Sequence, residues 1–209
     1  MKLIEVKETA IPGVKVVRYG RFADARGFFS ESYRRSDFKE DPRLSFLNDI
    51  EIYQVNESYS HAKVVRGLHF QWNPYMGKLV RTLRGRMVDI FLDIRKGSKT
   101  FGKASMYDMP ADTSAEFAEW IWVPPGFAHG NYFSEDSQIE YFCSGSYSPG
   151  CEAGISPFAE DIDWSLCPEP LREEFLKIRS GTPLMTDKDR NGFTVGGWSK
   201  DSRSDNFKQ

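Results

Sequence analysis

The chain has 209 residues, a length that suits one domain with some decoration. It is 40% hydrophobic and 14% aromatic, which excludes a disordered chain. Its net charge of -2 excludes a global basic field for a nucleic-acid backbone or an anionic membrane surface.

No apolar run is long enough to span a bilayer, and the N-terminal MKLIEVKETAIPG lacks the apolar core of a signal peptide. Cys143, Cys151 and Cys167 have no C-x-x-C spacing, which argues against a disulfide framework or a zinc ribbon and fits a reducing cytoplasm. In chain order, residues 28–33, 50–56 and 79–83 read as short strands bounded by Gly, Pro, Asn or Ser, with a turn of helix near 36–40. In MVDIFLDI (87–94), Val88, Ile90, Leu92 and Ile94 share one face, and Asp89, Phe91 and Asp93 share the other. KGSKTFG then turns the chain. WIWV (120–123) is a strand closed by PPG, and QIEYFC (138–143) places Ile139, Tyr141 and Cys143 together. The main helical signal is PEPLREEFLKIR (168–179), with Leu171, Phe175 and Ile178 in helical register, early acids, late bases and a stopping Gly181. The pattern predicts an all-β fold, a jelly-roll (cupin-type) β-barrel with a few short peripheral helices. Residues 1–195 would form one barrel domain ending in a helical segment, and 196–209 a polar tail that frays.

RGLHFQ (66–71) puts a histidine between apolar neighbours, on the same strand face as Gln71. Taken alone, His69 reads as a core histidine bonded to a carbonyl. A transition metal would need a second histidine two positions away and a carboxylate soon after; Gln71 and Glu140 are poor substitutes, so no metal is expected. As an acid–base group, a neutral imidazole in a barrel suits proton abstraction near pH 7. Lys78, beyond the Pro74/Gly77 turn, could return to the same cavity and stabilise an oxyanion, or lie on the rim. Tyr141 is a core aromatic or a proton donor. His129 follows the rigid turn PPG, and Arg26 could be a hairpin residue only.

Together these residues belong to an ordered series: DARGFFSE (24–31), QVNES (54–58), VVRGLHFQ (64–71), GKLVR (77–81), DIFLDIR (89–95), TFG (100–102), VPPGFAHG (123–130), Tyr141, SGSYSP (144–149) and EAGI (152–155). The series closely resembles the dTDP-4-dehydrorhamnose 3,5-epimerase family of nucleotide-sugar epimerases, over about residues 11–164 and again near 186–189. Relative to that pattern, the loop 71–78 is one residue shorter, a glutamine before the lysine is missing, and Asn131 stands where an aromatic or apolar residue is common. The resemblance implies a homodimeric jelly roll that binds a nucleoside-diphosphate 4-keto-6-deoxy sugar without metal or organic cofactor. By motif, His69 resembles the base and Asp189 its carboxylate partner, with Asp187 the nearest competitor. Lys78 would sit by the C4 oxygen and Tyr141 would be the acid on the opposite ring face. Arg66, Gln54, Asn56, His129 and Tyr147 match sugar- or phosphate-contacting positions. Arg26 and Glu31 match nucleotide-contacting positions that can reach the neighbouring subunit's site. The expected reaction is inversion of C3 and C5 of dTDP-4-dehydro-6-deoxy-D-glucose. The alternatives are a single-centre epimerase, an enzyme for a GDP- or CDP-linked hexose or heptose, a ketoisomerase on the same barrel, or a non-catalytic sugar-binding barrel.

Overall fold

The computed structural model describes residues 1–208. The chain begins with β1 (Leu3–Glu8), β2 (Lys15–Gly20) and a small hairpin of β3 (Phe22–Asp24) and β4 (Gly27–Phe29). After helix α1 (Arg35–Glu40) and a 3-10 segment (Pro42–Leu47) come β5 (Gln54–Ser60), β6 (Val65–Gln71), β7 (Lys78–Arg84), β8 (Arg86–Asp93) and β9 (Ala104–Pro110). The strands end with β10 (Phe117–Val123), β11 (Phe127–Phe133), β12 (Ser137–Cys143) and β13 (Glu152–Gly154). Helices α2 (Glu169–Ser180), α3 (Asp187–Arg190) and α4 (Val195–Lys200) follow, then a 3-10 segment (Ser202–Phe207).

Two antiparallel sheets carry the fold, with strand orders β1-β2-β10-β7-β12-β5 and β13-β6-β11-β8-β9. They pack face to face as a jelly roll, so the all-β prediction describes the architecture. Their facing sides meet in a core that includes Val16, Val80, Phe91, Ile121, Phe133 and Ile139. The back of the five-stranded sheet (Val88, Ile90, Leu92) is covered by Phe175 of α2, Trp198 of α4 and Phe207. The back of the six-stranded sheet (Val17, Leu79, Trp120) is covered by Phe38, Leu44 and Leu47. The central strands are therefore covered on both faces, and β8 is buried from Met87 to Asp93. The alternation expected there is present, but the face bearing Asp89 looks into the molecule, not into water.

Three expectations are corrected. The strand at 28–33 is a hairpin over 22–29: Asp24 accepts a hydrogen bond from the Arg26 amide, and Gly27 takes φ +133°, so the chain reverses earlier. The strand at 50–56 starts at Gln54 and runs to Ser60, because its ends follow its partner β12 from Cys143↔Gln54 to Ser137↔Ser60. Residues 196–208 do not fray, since Trp198 and Phe207 are buried in the main core. No helix among the described residues is long and apolar enough to cross a membrane.

Candidate active site

A cavity opens between the sheets, with two lobes of about 360 and 370 Å³ that share His69, Lys78 and Tyr141. One sheet contributes His69 from β6 and His129 and Asn131 from β11; the other contributes Lys78 from β7, Tyr141 from β12 and Asn56 from β5.

The backbone that aims His69 is irregular. His69 pairs with His129 and Arg66 with Asn131, so three steps on β6 face two on β11. This is a β-bulge, and Gly67 sits in it with φ +106°. Val65 and Leu68 both reach the core behind the sheet, while Arg66 and His69 both line the cavity. The strands approach so closely that a Cβ on Gly130 would lie 2.2 Å from the Arg66 carbonyl oxygen. RGLH and HG are thus one interlocked piece of backbone.

His69 Nε2 lies 2.6 Å from Asp189 Oδ1, and Asp189 Oδ2 accepts from the Gly67 amide at 3.3 Å. Asp189 is buried on α3, where the Thr186 hydroxyl caps its amide; Asp187 is exposed on the outer side. Burial pushes the Asp189 carboxyl up, yet the hydrogen bond and charge of His69, with help from Gly67 and Thr186, hold it below the usual carboxylate value. With Nε2 engaged, Nδ1 is the imidazole nitrogen left free. Lys78 Nζ stands 5.9 Å from the centre of the Tyr141 ring. By exposure Lys78 is only half-buried, but its head is enclosed by the cavity walls, and desolvation lowers its pKa against the pull of Cys143, Asp89 and Glu152. Burial raises the Tyr141 phenol, with a further push from Cys143, opposed by Arg66 and Asn56.

A second histidine–carboxylate pair lies on the same inner face: His129 Nε2 is 2.7 Å from Asp89 Oδ1, and both side chains are buried. Asp89 Oδ2 and Asn131 Oδ1 are buried with no partner among the described residues. Around the other lobe, Gln54 bonds to Asn56 at 2.9 Å and accepts from the Tyr147 amide at 3.0 Å. The Tyr147 hydroxyl donates to Glu152 at 3.1 Å, and Lys188 pairs with the same carboxylate at 2.6 Å. Arg66 stands at the mouth, held by the Ser60 hydroxyl at 2.9 Å and the Tyr59 carbonyl at 3.1 Å.

Of the predicted residues, His69, Lys78, Tyr141, Asp189, Arg66, Gln54, Asn56, His129 and Tyr147 come together here. Arg26 and Glu31 do not. Arg26 is 90% exposed on the β3–β4 hairpin, paired with Asp24, and Glu31 pairs with Arg34 and the N-terminal amine. Sequence reasoning missed Asp89, Glu152 and Lys188. Asp89 and Glu152 lie within the quoted stretches DIFLDIR and EAGI, and Lys188 lies within 186–189, but pattern alone gave none of them a role.

The fold and the pocket define a jelly-roll protein whose cavity gathers a carboxylate-held imidazole, a phenol and a lysine head. The family model described as dTDP-4-dehydrorhamnose 3,5-epimerase matches residues 8–195. The dTDP-4-dehydrorhamnose 3,5-epimerase of Shigella flexneri is 37% identical over 193 residues, covering 90% of this chain and 94% of that one. Among solved structures, dTDP-6-deoxy-D-glucose-3,5-epimerase of Legionella pneumophila in complex with dTDP-4-keto-L-rhamnose superposes with a TM-score of 0.78 at 29% identity, covering 96% of each chain. A 3'-monoepimerase double mutant from Streptomyces bikiniensis, in complex with dTDP, superposes with a TM-score of 0.76 at 25% identity, covering 92% of this chain and 88% of that one. The chain belongs to the dTDP-4-dehydrorhamnose 3,5-epimerase family, and it is an epimerase.

Proposed function

We propose that the protein inverts C3 and C5 of dTDP-4-dehydro-6-deoxy-D-glucose to give dTDP-4-dehydro-L-rhamnose. One observation carries this reading: His69, braced by Asp189, and Tyr141 border the same cavity with Lys78 beside them. A proton next to a ketone is too weakly acidic for imidazole unless the enolate is stabilised. His69 Nδ1 takes the C5 proton, the C–H electrons pass to the C4 oxygen, and the Lys78 ammonium donates a hydrogen bond to that oxygen, contributing about 3 kcal/mol. Tyr141 returns a proton to the opposite face, which completes inversion. Asp189 stabilises the imidazolium, as the acid does in a catalytic triad. Once the imidazolium has given its proton to water and the Tyr141 phenolate has regained one, the same sequence at C3 gives the product. Arg66, with Gln54, Asn56, His129 and Tyr147, would hold the sugar and diphosphate, since a guanidinium fork suits phosphate oxygens.

The protein would act as a homodimer in the cytoplasm. Phe22, Phe28 and Phe29 of the β3–β4 hairpin, Val55 and Tyr59 along edge strand β5, and Tyr53 just before it are exposed apolar side chains that a second copy would cover. Arg26 would then reach the nucleotide in its partner's site.

Incubation with the 4-keto sugar in D₂O tests the reading. Deuterium should enter at both C3 and C5, and His69→Asn should abolish exchange in a folded protein. Label at one carbon would instead make this a single-centre epimerase, a reading favoured by the shortened loop before Lys78 and by the likeness to a 3'-monoepimerase. No label with dTDP-, GDP- or CDP-linked ketosugars would end the claim.

A further inference from the structure

The match to the family ends at residue 195, yet residues 196–207 are built into the molecule through Trp198 and Phe207. Trp198 is fully buried, and its ring centre lies 4.7 Å from Phe70, 6.0 Å from Trp72 and 5.6 Å from Phe193. Each neighbour adjoins a different group of the site. Phe70 follows His69 on β6 and points to the back of the sheet. Trp72 opens the shortened loop that leads to Lys78. Phe193 lies four residues past Asp189, and its backbone is bonded to Gly154 and Ser156 at 2.9 Å. The segment also grips the loop directly: Phe207 lies 5.8 Å from both Phe70 and Tyr75, and the Tyr75 hydroxyl donates to the Asn206 carbonyl at 2.7 Å. Arg203 lies over the same rings, 5.8 Å from Trp72 and 5.9 Å from Trp198.

The Trp198 indole N–H has no hydrogen-bond partner among the described residues. A buried, unpaired donor is destabilising, and a phenyl ring would avoid that penalty. The indole's place is therefore explained by its area and shape, which touch three elements at once.

We infer that Trp198 is a positioning residue that locks the strand of His69, the segment of Asp189 and the loop of Lys78 into one block. The inference rests on the acid–base reading above for its catalytic consequence, but the mechanical coupling can be read without substrate. In Trp198→Leu, measured where circular dichroism shows a folded protein, kcat should fall roughly 10- to 100-fold with little change in KM, as expected when catalytic groups drift from alignment. Trp198→Phe should recover most of the rate. Amide exchange in Trp198→Leu should quicken together in residues 72–78 and 187–190. Tyr75→Phe, which removes one hydrogen bond and leaves the packing, should quicken exchange in 72–78 alone. Should Trp198→Leu not fold, the smaller ring of Trp198→Phe carries the test through a lesser quickening that is still shared by 72–78 and 187–190, against Tyr75→Phe, which affects 72–78 alone. Unchanged kcat in folded Trp198→Leu, or faster exchange confined to 195–207, overturns the proposal. A wild-type protein without epimerase activity would defeat the functional reading, while the exchange pattern would still decide the coupling.

Discussion

Burial acts in opposite senses on two neighbours in the cavity. It drives Lys78 towards losing its proton and Tyr141 towards keeping it. A step that needs both as donors therefore fails first at Lys78 as the pH rises. The alkaline limb of kcat/KM should fall below the value of about 10.4 typical of a free lysine. In Lys78→Arg, whose charge persists, that limb should move to higher pH in the pH–rate profile. Lys78→Met should lower kcat by about 10²–10³, the loss typical of one oxyanion donor. Tyr141→Phe should suppress net inversion more than wash-out of the substrate's own proton, because His69 can still exchange from its own side. Asp89 shows what the sequence conceals at this scale. Strand periodicity assigns it a face but does not say that this face meets another sheet, and its contact with His129 joins strands 40 residues apart.

Between strands, the bulge at Gly67 decides whether His69 and Arg66 can both enter the cavity. A Cβ on Gly67 would meet Gly130 Cα at 2.6 Å, and one on Gly130 would meet the Arg66 carbonyl at 2.2 Å. Neither clash involves a movable side chain. Gly130→Ala should therefore destabilise the fold by about 3 kcal/mol in denaturant melts and reduce turnover, as strands β6 and β11 separate. The turn after β8 is a different device. Asp93, fully buried, accepts from the Arg95 guanidinium at 2.7 Å and from the Ser98 and Thr100 hydroxyls at 2.6 Å. Burial pushes this carboxyl up, but those bonds outweigh it and hold it below the usual carboxylate value. Its stabilisation is thus present above the unfolded value of about 3.9 and is lost as the pH falls through the folded one. Asp93→Asn should lower Tm clearly at pH 7, with the gap to wild type closing in strongly acidic buffer. Elements with a strong period, such as β8, β12 and α2, were legible in the sequence because burial imposes their pattern directly. The bulge, the 22–29 hairpin and the docked tail were not. Each depends on a backbone geometry or a distant partner that local pattern does not carry: Trp198 looks like a stray aromatic until Phe70 and Phe193 are beside it.

For the molecule as a whole, the cavity accounts for sugar chemistry but leaves Arg26 and Glu31 outside it, on a hairpin and a following segment with exposed phenylalanines. Closed two-fold symmetry would bring each hairpin to the other subunit, so that one site draws on two chains. This arrangement has a consequence that a monomer, or a dimer with self-contained sites, cannot reproduce. Arg26→Ala should weaken substrate capture and depress kcat/KM, while His69→Asn should be inactive. In a dimer formed from one subunit of each kind, the site with an intact His69 receives its Arg26 from the other chain, and the remaining site lacks both. Unfolding and refolding an equal mixture should therefore restore activity, at low substrate, to about a quarter of wild type, since half the dimers are mixed and each has one good site. If Arg26 serves its own chain, no site in the mixture has both residues, and activity should stay at the level of Arg26→Ala diluted by the inactive partner. Sedimentation across a dilution series gives the independent check, since activity per subunit should fall at the concentration where the dimer dissociates.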